Sequence, residues 1–293
     1  MPKVRQRRRA RVMWMAAVNV TSELPFIPER YADLFQLIID KSPAPVGEFG
    51  QERLTLYRFA RNDNVIEGAF GRYTYIDPNS PWWDSEERKA LVDDQGRPLP
   101  QVRQGIGPNF KEIPFIFFLD WHILVFDISV ISPNQFFRGA QGVLADFAIR
   151  EKFGVINLTV FPEKDVLDKV LSLQQVKSIK FLLTIPNPDV LGVLEQNFLD
   201  RMLTIGAGKT KQEYTSQQDT EIEPDNELKA VMTLASRNGY VEAIGQDNGK
   251  TRKRSTKEYP WREKATYDNL EQKERILQRW GRWFAEKLRS SSE

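Results

Sequence analysis

Between Phe153 and Leu203 the chain sets down two short apolar runs, each closed by proline and each followed by a helical pattern. Val155, Leu158 and Val160 precede Pro162, and Ile179 to Ile185 is a β-forming run that stops at Pro186-Asn-Pro188. The stretch reads as strand, short helix, strand, helix. Neither strand can cover its own apolar face, so the remaining segments must supply the layers around it. This demand predicts an α+β fold: a mixed or antiparallel sheet with packed helices, then a C-terminal β-hairpin and a long helix.

The segments before this stretch fit that role. Arg11 to Val20 alternates as a first strand, and Pro28 to Lys41 carries a one-sided apolar face that Pro43 and Pro45 terminate. Arg53 to Arg61 and Val65 to Ile76 flank the turn Arg61-Asn-Asp-Asn64 and form a hairpin. Asp77 to Asn109 lacks periodicity, and a loop of that length is functional or disordered. Trp82 and Trp83 within it are either surface anchors or residues that tuck the loop onto the core. Ile113 to Leu119 and Ile123 to Ile131 read as two more strands. That stretch is the most hydrophobic in the chain, but Asp120, His122 and Asp127 argue against a membrane span. Pro133 opens a helix expected to run from Asn134 to Lys152, where Gly139 and Gly142 either permit close approach or weaken it.

Beyond Leu203 the composition changes. Gly206 to Asp225 is polar, and Glu213 to Glu227 carries six acids and no base. Glu227 to Ser236 fits a short helix or, around Ala230 to Leu234, a strand. Tyr240 to Ile244 and Arg252 to Tyr259 flank Gly245-Gln-Asp-Asn-Gly249, a hairpin pattern with a basic returning strand. Tyr267 to Leu288 is an amphipathic helix whose face either docks on the core or pairs with a second copy. The expected organisation is a basic flexible arm (1–11), an α+β core (12–205), an acidic polar linker (206–226) and a hairpin plus helix (227–293).

Charge carries the functional signal. The net charge of +2 hides six Lys/Arg and no acid in residues 1–11, and seven Lys/Arg against two Glu in Lys250 to Lys264. The rest of the chain holds 29 basic and 38 acidic residues. An acidic body with two basic stretches fits local capture of a phosphate backbone. The candidate contacts are Arg7, Arg8, Arg9 and Arg11 in the arm, and Lys250, Arg252, Lys253, Arg254, Lys257, Arg262 and Lys264. If 252 to 258 is extended, both of its faces carry cations, as in a ribbon set against a groove. The competing readings are an intramolecular or protein contact for the hairpin and a solubilising tail for the arm.

Catalytic motifs are sparse. Cysteine is absent, which excludes thiolate chemistry and a disulfide scaffold. His122 is the sole histidine, and a hydrogen-bonded His at a turn is the default over a catalytic pair with Asp120. Gly206-Ala-Gly-Lys-Thr210 ends like a phosphate-binding loop, but Leu203 stands where that motif needs glycine. Asp225, Glu227 and Lys229 define the one alternative with chemistry: a Mg2+-dependent nuclease, if Glu227 and Lys229 share a strand face, with Asp189 or Asp219 upstream. Otherwise no cofactor is expected. The expected compartment is the cytoplasm, with no membrane partner.

Ile179-Lys-Phe-Leu-Leu-Thr-Ile-Pro-Asn-Pro188, Glu242-Ala-Ile-Gly-Gln-Asp-Asn-Gly249 and the helix from Tyr267 give residues 150–290 a layout that resembles RexA-like phage-exclusion DNA-binding proteins and related bacterial defence-associated proteins. The resemblance implies a non-enzymatic, homodimeric protein that binds double-stranded DNA as a sensor or effector in phage defence or abortive infection. A third reading is an effector that binds a protein partner through the Trp82/Trp83 loop.

Overall fold

The computed structural model describes residues 11–22, 28–99, 102–103, 105–184, 193–218, 220–268 and 270–290. The first strand, β1 (Arg11–Ser22), leads into α1 (Pro28–Asp40), a short β2 (Gly47–Phe49), and the hairpin β3 (Glu52–Asn62) and β4 (Val65–Thr74). The segment without periodicity forms a small ribbon, β5 (Trp82–Asp84) with β6 (Lys89–Leu91). Then come β7 (Lys111–Phe118), β8 (Ile123–Asp127), α2 (Pro133–Leu144), α3 (Phe147–Phe153), β9 (Ile156–Val160) and α4 (Val166–Leu171). The chain continues through β10 (Gln175–Thr184), α5 (Val193–Thr204), β11 (Lys209–Thr215), α6 (Asn226–Arg237), β12 (Gly239–Asp247), β13 (Lys250–Ser255), β14 (Arg262–Tyr267) and α7 (Leu270–Ser290).

Among the described residues these elements make an α+β fold with two larger antiparallel sheets beside the β5–β6 ribbon. The eight-stranded sheet runs β14-β1-β8-β7-β4-β3-β2, with β9 also on β1. β1 pairs β14 along Arg11 to Ala16, β8 along Met15 to Asn19 and β9 along Val18 to Ser22. Because β8 overlaps both of the others in register, β14 and β9 must follow one another along the opposite edge of β1. The second sheet has four strands, β11-β10-β12-β13. The organising strand–helix–strand–helix therefore straddles the two sheets, with β9 in one and β10 in the other.

Burial explains the apolar runs. In β1, Ala16, Val18 and Val20 enter the core under α1, α2 and α3, while Met13, Met15 and Ala17 enter a second core under α7. β7 divides likewise, with Phe115 and Phe117 on one side and Ile116 and Phe118 on the other. A strand covered on both faces reads as a continuous apolar run, not as an alternation. This accounts for the hydrophobic stretch around β7 and β8. Among the described residues, no helix is long and apolar enough to cross a membrane.

Several expectations change. The helix expected from Asn134 to Lys152 breaks into α2 and α3, because the Asp146 side chain accepts from the Ala148 N–H and starts a new helix. Lys41 pairs with the same carboxylate and, as its hydrogen-bond partner, lowers its pKa. The expected linker at 206–226 contains β11, which pairs along β10 from Ser178 to Thr184. The unit carrying the second sheet spans roughly 163–260, and the chain then returns to the first sheet through β14. The apolar face of α7 docks within the chain: Leu277, Phe284, Ala285 and Leu288 are buried in the second core. Arg7, Arg8 and Arg9 lie outside the described residues, while Arg11 is the exposed first residue of β1.

The two α2 glycines serve close approach. A Cβ on Gly47 of β2 would stand 1.6 Å from the Gly139 carbonyl oxygen, and one on Gly142 would stand 2.7 Å from the Gly47 Cα. Backbone contact at that range has no slack. Gly47→Ala should therefore destabilise the protein by at least about 2–3 kcal/mol. Gly96→Ala, at φ +75° in open space, should cost only about 1–2 kcal/mol of backbone strain. Denaturant titration of the two variants beside the parent checks the ordering.

Candidate nucleic-acid interface

The hairpin forms where the Asn-Gly pair indicates. β12 and β13 pair from Glu242–Ser255 to Asp247–Lys250, with Asn248 at φ 51° and Gly249 at φ 71° between them. Two consecutive left-handed residues make the tight turn whose twist suits a two-residue hairpin. As expected, Arg252 and Arg254 lie on one face and Lys253 on the other. The strand ends at Ser255, however, and Lys257 sits on a 3-10 turn, Thr256–Glu258, where its own N–H donates to the Ser255 hydroxyl.

The cations differ sharply in what holds them. Arg254 is half-buried and structural. Its Nη2 lies 3.0 Å from Asp247 Oδ2, and its Nη1 donates to the Lys169 carbonyl at 2.9 Å and to the Ser172 hydroxyl. It thereby caps the carbonyl end of α4 and pins the hairpin to it. Arg252 lies 3.8 Å from the same aspartate and remains 58% exposed. Lys253 reaches Glu242 at 2.9 Å and is 55% exposed, and that hydrogen bond raises its pKa. Lys250 at the turn and Arg262 and Lys264 on β14 are exposed, the last two across from Ala16 and Trp14.

Lys257 is the unusual member. Its Nζ stands 3.8 Å above the Tyr240 ring, a cation–π distance. Burial of the ammonium, with the like charges of Lys253 and Arg138, pushes its pKa below the ordinary lysine value, and Glu242 pulls the other way. Lys257 keeps solvent contact nonetheless.

β13 is the edge of the four-stranded sheet and β14 the edge of the eight-stranded one. The expected cations therefore lie on successive edge segments joined by the 3-10 turn. The sequence reading missed β14, although Trp261, Glu263, Ala265 and Tyr267 alternate. Glu263 accepts from Trp261 Nε1 at 3.0 Å and pairs with Lys287 of α7, so that alternation was a usable signal. Arg138 of α2 was missed because no charge pattern connects it to the hairpin.

The nuclease arrangement is not formed. Glu227 and Lys229 lie on α6, not on a strand, and two helical positions apart they point to nearly opposite sides. The Asp225 side chain accepts from the Leu228 N–H at 2.8 Å and caps that helix. Among the described residues, no three His, Asp or Glu side chains come together to hold a metal ion. Asp189 and Asp219 lie outside the described residues. His122, at φ 54°, places Nδ1 2.5 Å from the Tyr31 hydroxyl, while the Asp120 carboxylate accepts from Asn64 at 2.7 Å. Gly206 closes α5 and leads into β11, so Gly206 to Thr210 connects a helix to a strand and cannot cradle phosphate in the required way.

Fold and surface together define an acidic-bodied α+β protein of two antiparallel sheets with a basic path along their edges. The chain belongs to the family described as domain of unknown function DUF4747, whose model matches residues 11–281. That match begins at the first residue of β1 and ends within α7, so both sheets belong to the family unit. No curated protein matches the chain.

The geometry separates structural from surface cations. Arg254→Ala removes the donor to a carboxylate and to a helix-end carbonyl and should cost about 1–2 kcal/mol. Lys250→Ala should stay within about 0.5 kcal/mol of the parent. Thermal unfolding of both variants tests this, and equal stability would contradict the assignment of Arg254.

Proposed function

We propose that this protein is a non-enzymatic nucleic-acid binder that grips the phosphate backbone, with double-stranded DNA as the first ligand to test. The observation that carries the reading is the placement of Lys250, Arg252, Lys253, Lys257, Arg262 and Lys264 on consecutive edge segments of the two sheets. All six are exposed, although the body of the chain is acidic. Backbone neutralisation of this kind supplies affinity and salt dependence, with little sequence preference. The likeness to RexA-like phage-exclusion proteins points the same way and adds a defence role to the reading.

A second reading rests on a different surface. The segment around the β5–β6 ribbon exposes Trp83, Ile106 and Phe110, each more than half accessible. Exposed apolar side chains gathered on one long connection suit a protein contact.

Binding to blunt duplex DNA across a salt series, with Mg2+ present, decides between them. Each lost phosphate contact should flatten the log–log salt slope by about 0.9. Changing Lys250, Arg252, Arg262 and Lys264 together to Ala should therefore lower the slope by about 3–4, with the DNA left uncut. Absence of binding by the parent at low salt, or an unchanged slope in the variant, would remove the DNA reading and favour the protein contact. Mg2+-dependent cutting would refute the non-enzymatic assignment.

A further inference from the structure

The 3-10 turn that carries Lys257 also roofs a cleft of about 340 Å3 between the two sheets. One wall is the outer side of β9 with the start of α2, and the other is formed by the ends of β10 and β12. We propose that this cleft receives a single unpaired nucleotide, with its phosphate at Lys257 and Arg138 and its base between Phe137 and Leu182. The proposal rests on the nucleic-acid reading of the edge path and names the ligand unit for one part of it.

Four features support a nucleotide. The walls are apolar where a base would lie, at Phe137, Leu158, Val160 and Leu182. Polar groups also line it: the Asn157 amide and the Thr159 hydroxyl, on the opposite face of β9 from Leu158 and Val160, and the Tyr240 hydroxyl have no hydrogen-bond partner among the described residues. A small set of polar groups on a mostly apolar wall is the pattern that orients a flat heteroaromatic ligand. At the mouth, the Lys257 ammonium stands over Tyr240 and faces the positive charges of Lys253 and Arg138. The Glu242 carboxylate, which also faces Lys257, is engaged by Lys253. Burial first, and then the like charges of Lys253 and Arg138, disfavour the Lys257 ammonium, and an arriving phosphate would offset both.

An added peptide strand fits less well. The Gln141 side-chain amide donates to the Ile156 carbonyl and accepts from the Leu158 N–H, both at 2.8 Å. Its amide takes the place that a neighbouring strand would occupy on β9. The cleft is also continuous with the basic path through Lys257, so a strand held along the edges can deliver a base to it. Unpaired bases held on aromatic and apolar surfaces are the usual mode of single-strand recognition.

Two variants address the cleft without disturbing buried positions. Lys257→Met keeps the aliphatic stem against Tyr240 and removes the charge. Asn134→Trp, from an exposed position on the first turn of α2, plugs the mouth. Adenosine monophosphate, inorganic phosphate, a single-stranded oligonucleotide and a blunt duplex of equal length are titrated against the full chain. The parent should bind the monophosphate more tightly than phosphate and should prefer single strand to duplex. Both variants should weaken the monophosphate by about tenfold or more, a difference of about 1.4 kcal/mol, and erase the single-strand preference. Asn134→Trp should leave duplex affinity within about twofold of the parent. A parent that binds duplex but ignores the monophosphate, or binds both oligonucleotides alike, overturns the cleft assignment and leaves the edge path standing. One that takes the monophosphate and ignores duplex does the reverse. Equal binding of monophosphate and phosphate, with equal sensitivity to the variants, would also overturn it, since the base would then contribute nothing.

Discussion

Everything in the large sheet depends on β1 being buried on both faces while paired along both edges. Met13, Met15, Ala16, Ala17 and Val18 have no accessible surface at all. A strand in that position loses its solvent twice over, and at about 25 cal/mol per Å2 of apolar surface it concentrates a large part of the hydrophobic stabilisation in a few residues. The arrangement also determines which elements must exist. One face needs α1, α2 and α3, the other needs α7, and the free edge needs β9 and β14. The C-terminal helix is thus a structural part of the first sheet, although nearly the whole chain separates it from the strand it covers.

What could be read directly from the chain was local. The β3–β4 and β12–β13 hairpins follow from alternation on either side of Asn-rich turns, and α1 follows from one apolar face between prolines. The break between α2 and α3 was written in Asp146, but Phe147 and Ala148 sustain the helical spacing and mask the cap. β11 was hidden by a polar composition that is a property of its exposed position: only scattered members of Lys209–Thr215 are even partly covered. Polar alternation on an edge strand looks like a linker until its partner is known. At the candidate site, the sequence told where the positive charge is and not what it does. Arg254 reaches Lys169 and Ser172, which Arg252 does not, and those residues are more than eighty positions away. The cleft brings together α2, β9, β10, β12 and the turn at Lys257, a meeting that no window of sequence contains.

The cations on β13 and β14 have a second consequence for the free molecule. Edge strands present unpaired N–H and C=O groups that can recruit strands from other chains, and lysine at an edge opposes this. Lys250, Lys253 and Lys264 thus oppose the pairing of these two sheet edges with edges of neighbouring molecules. A ligand that covers these charges would leave the same edges less protected. Solubility and the proposed ligand capture would draw on the same residues, so removing the charges would trade one property against the other.

The return of the chain to β1 has a consequence in time. The small sheet is inserted between β9 and β14, and its two ends lie side by side: Glu163 N–H meets the Tyr259 carbonyl, and Trp261 N–H meets that of Phe161. Met13 pairs with Ala265, so the first half of β1 must wait for nearly the entire chain to be made. At about 5–20 residues per second on the ribosome, that wait is roughly 10–50 s. During it, one of the most apolar strands of the protein has an open edge and lacks the cover of α7. The vulnerable period of this fold is therefore set by translation, and a stall late in synthesis would expose the same surface that the finished protein hides most completely.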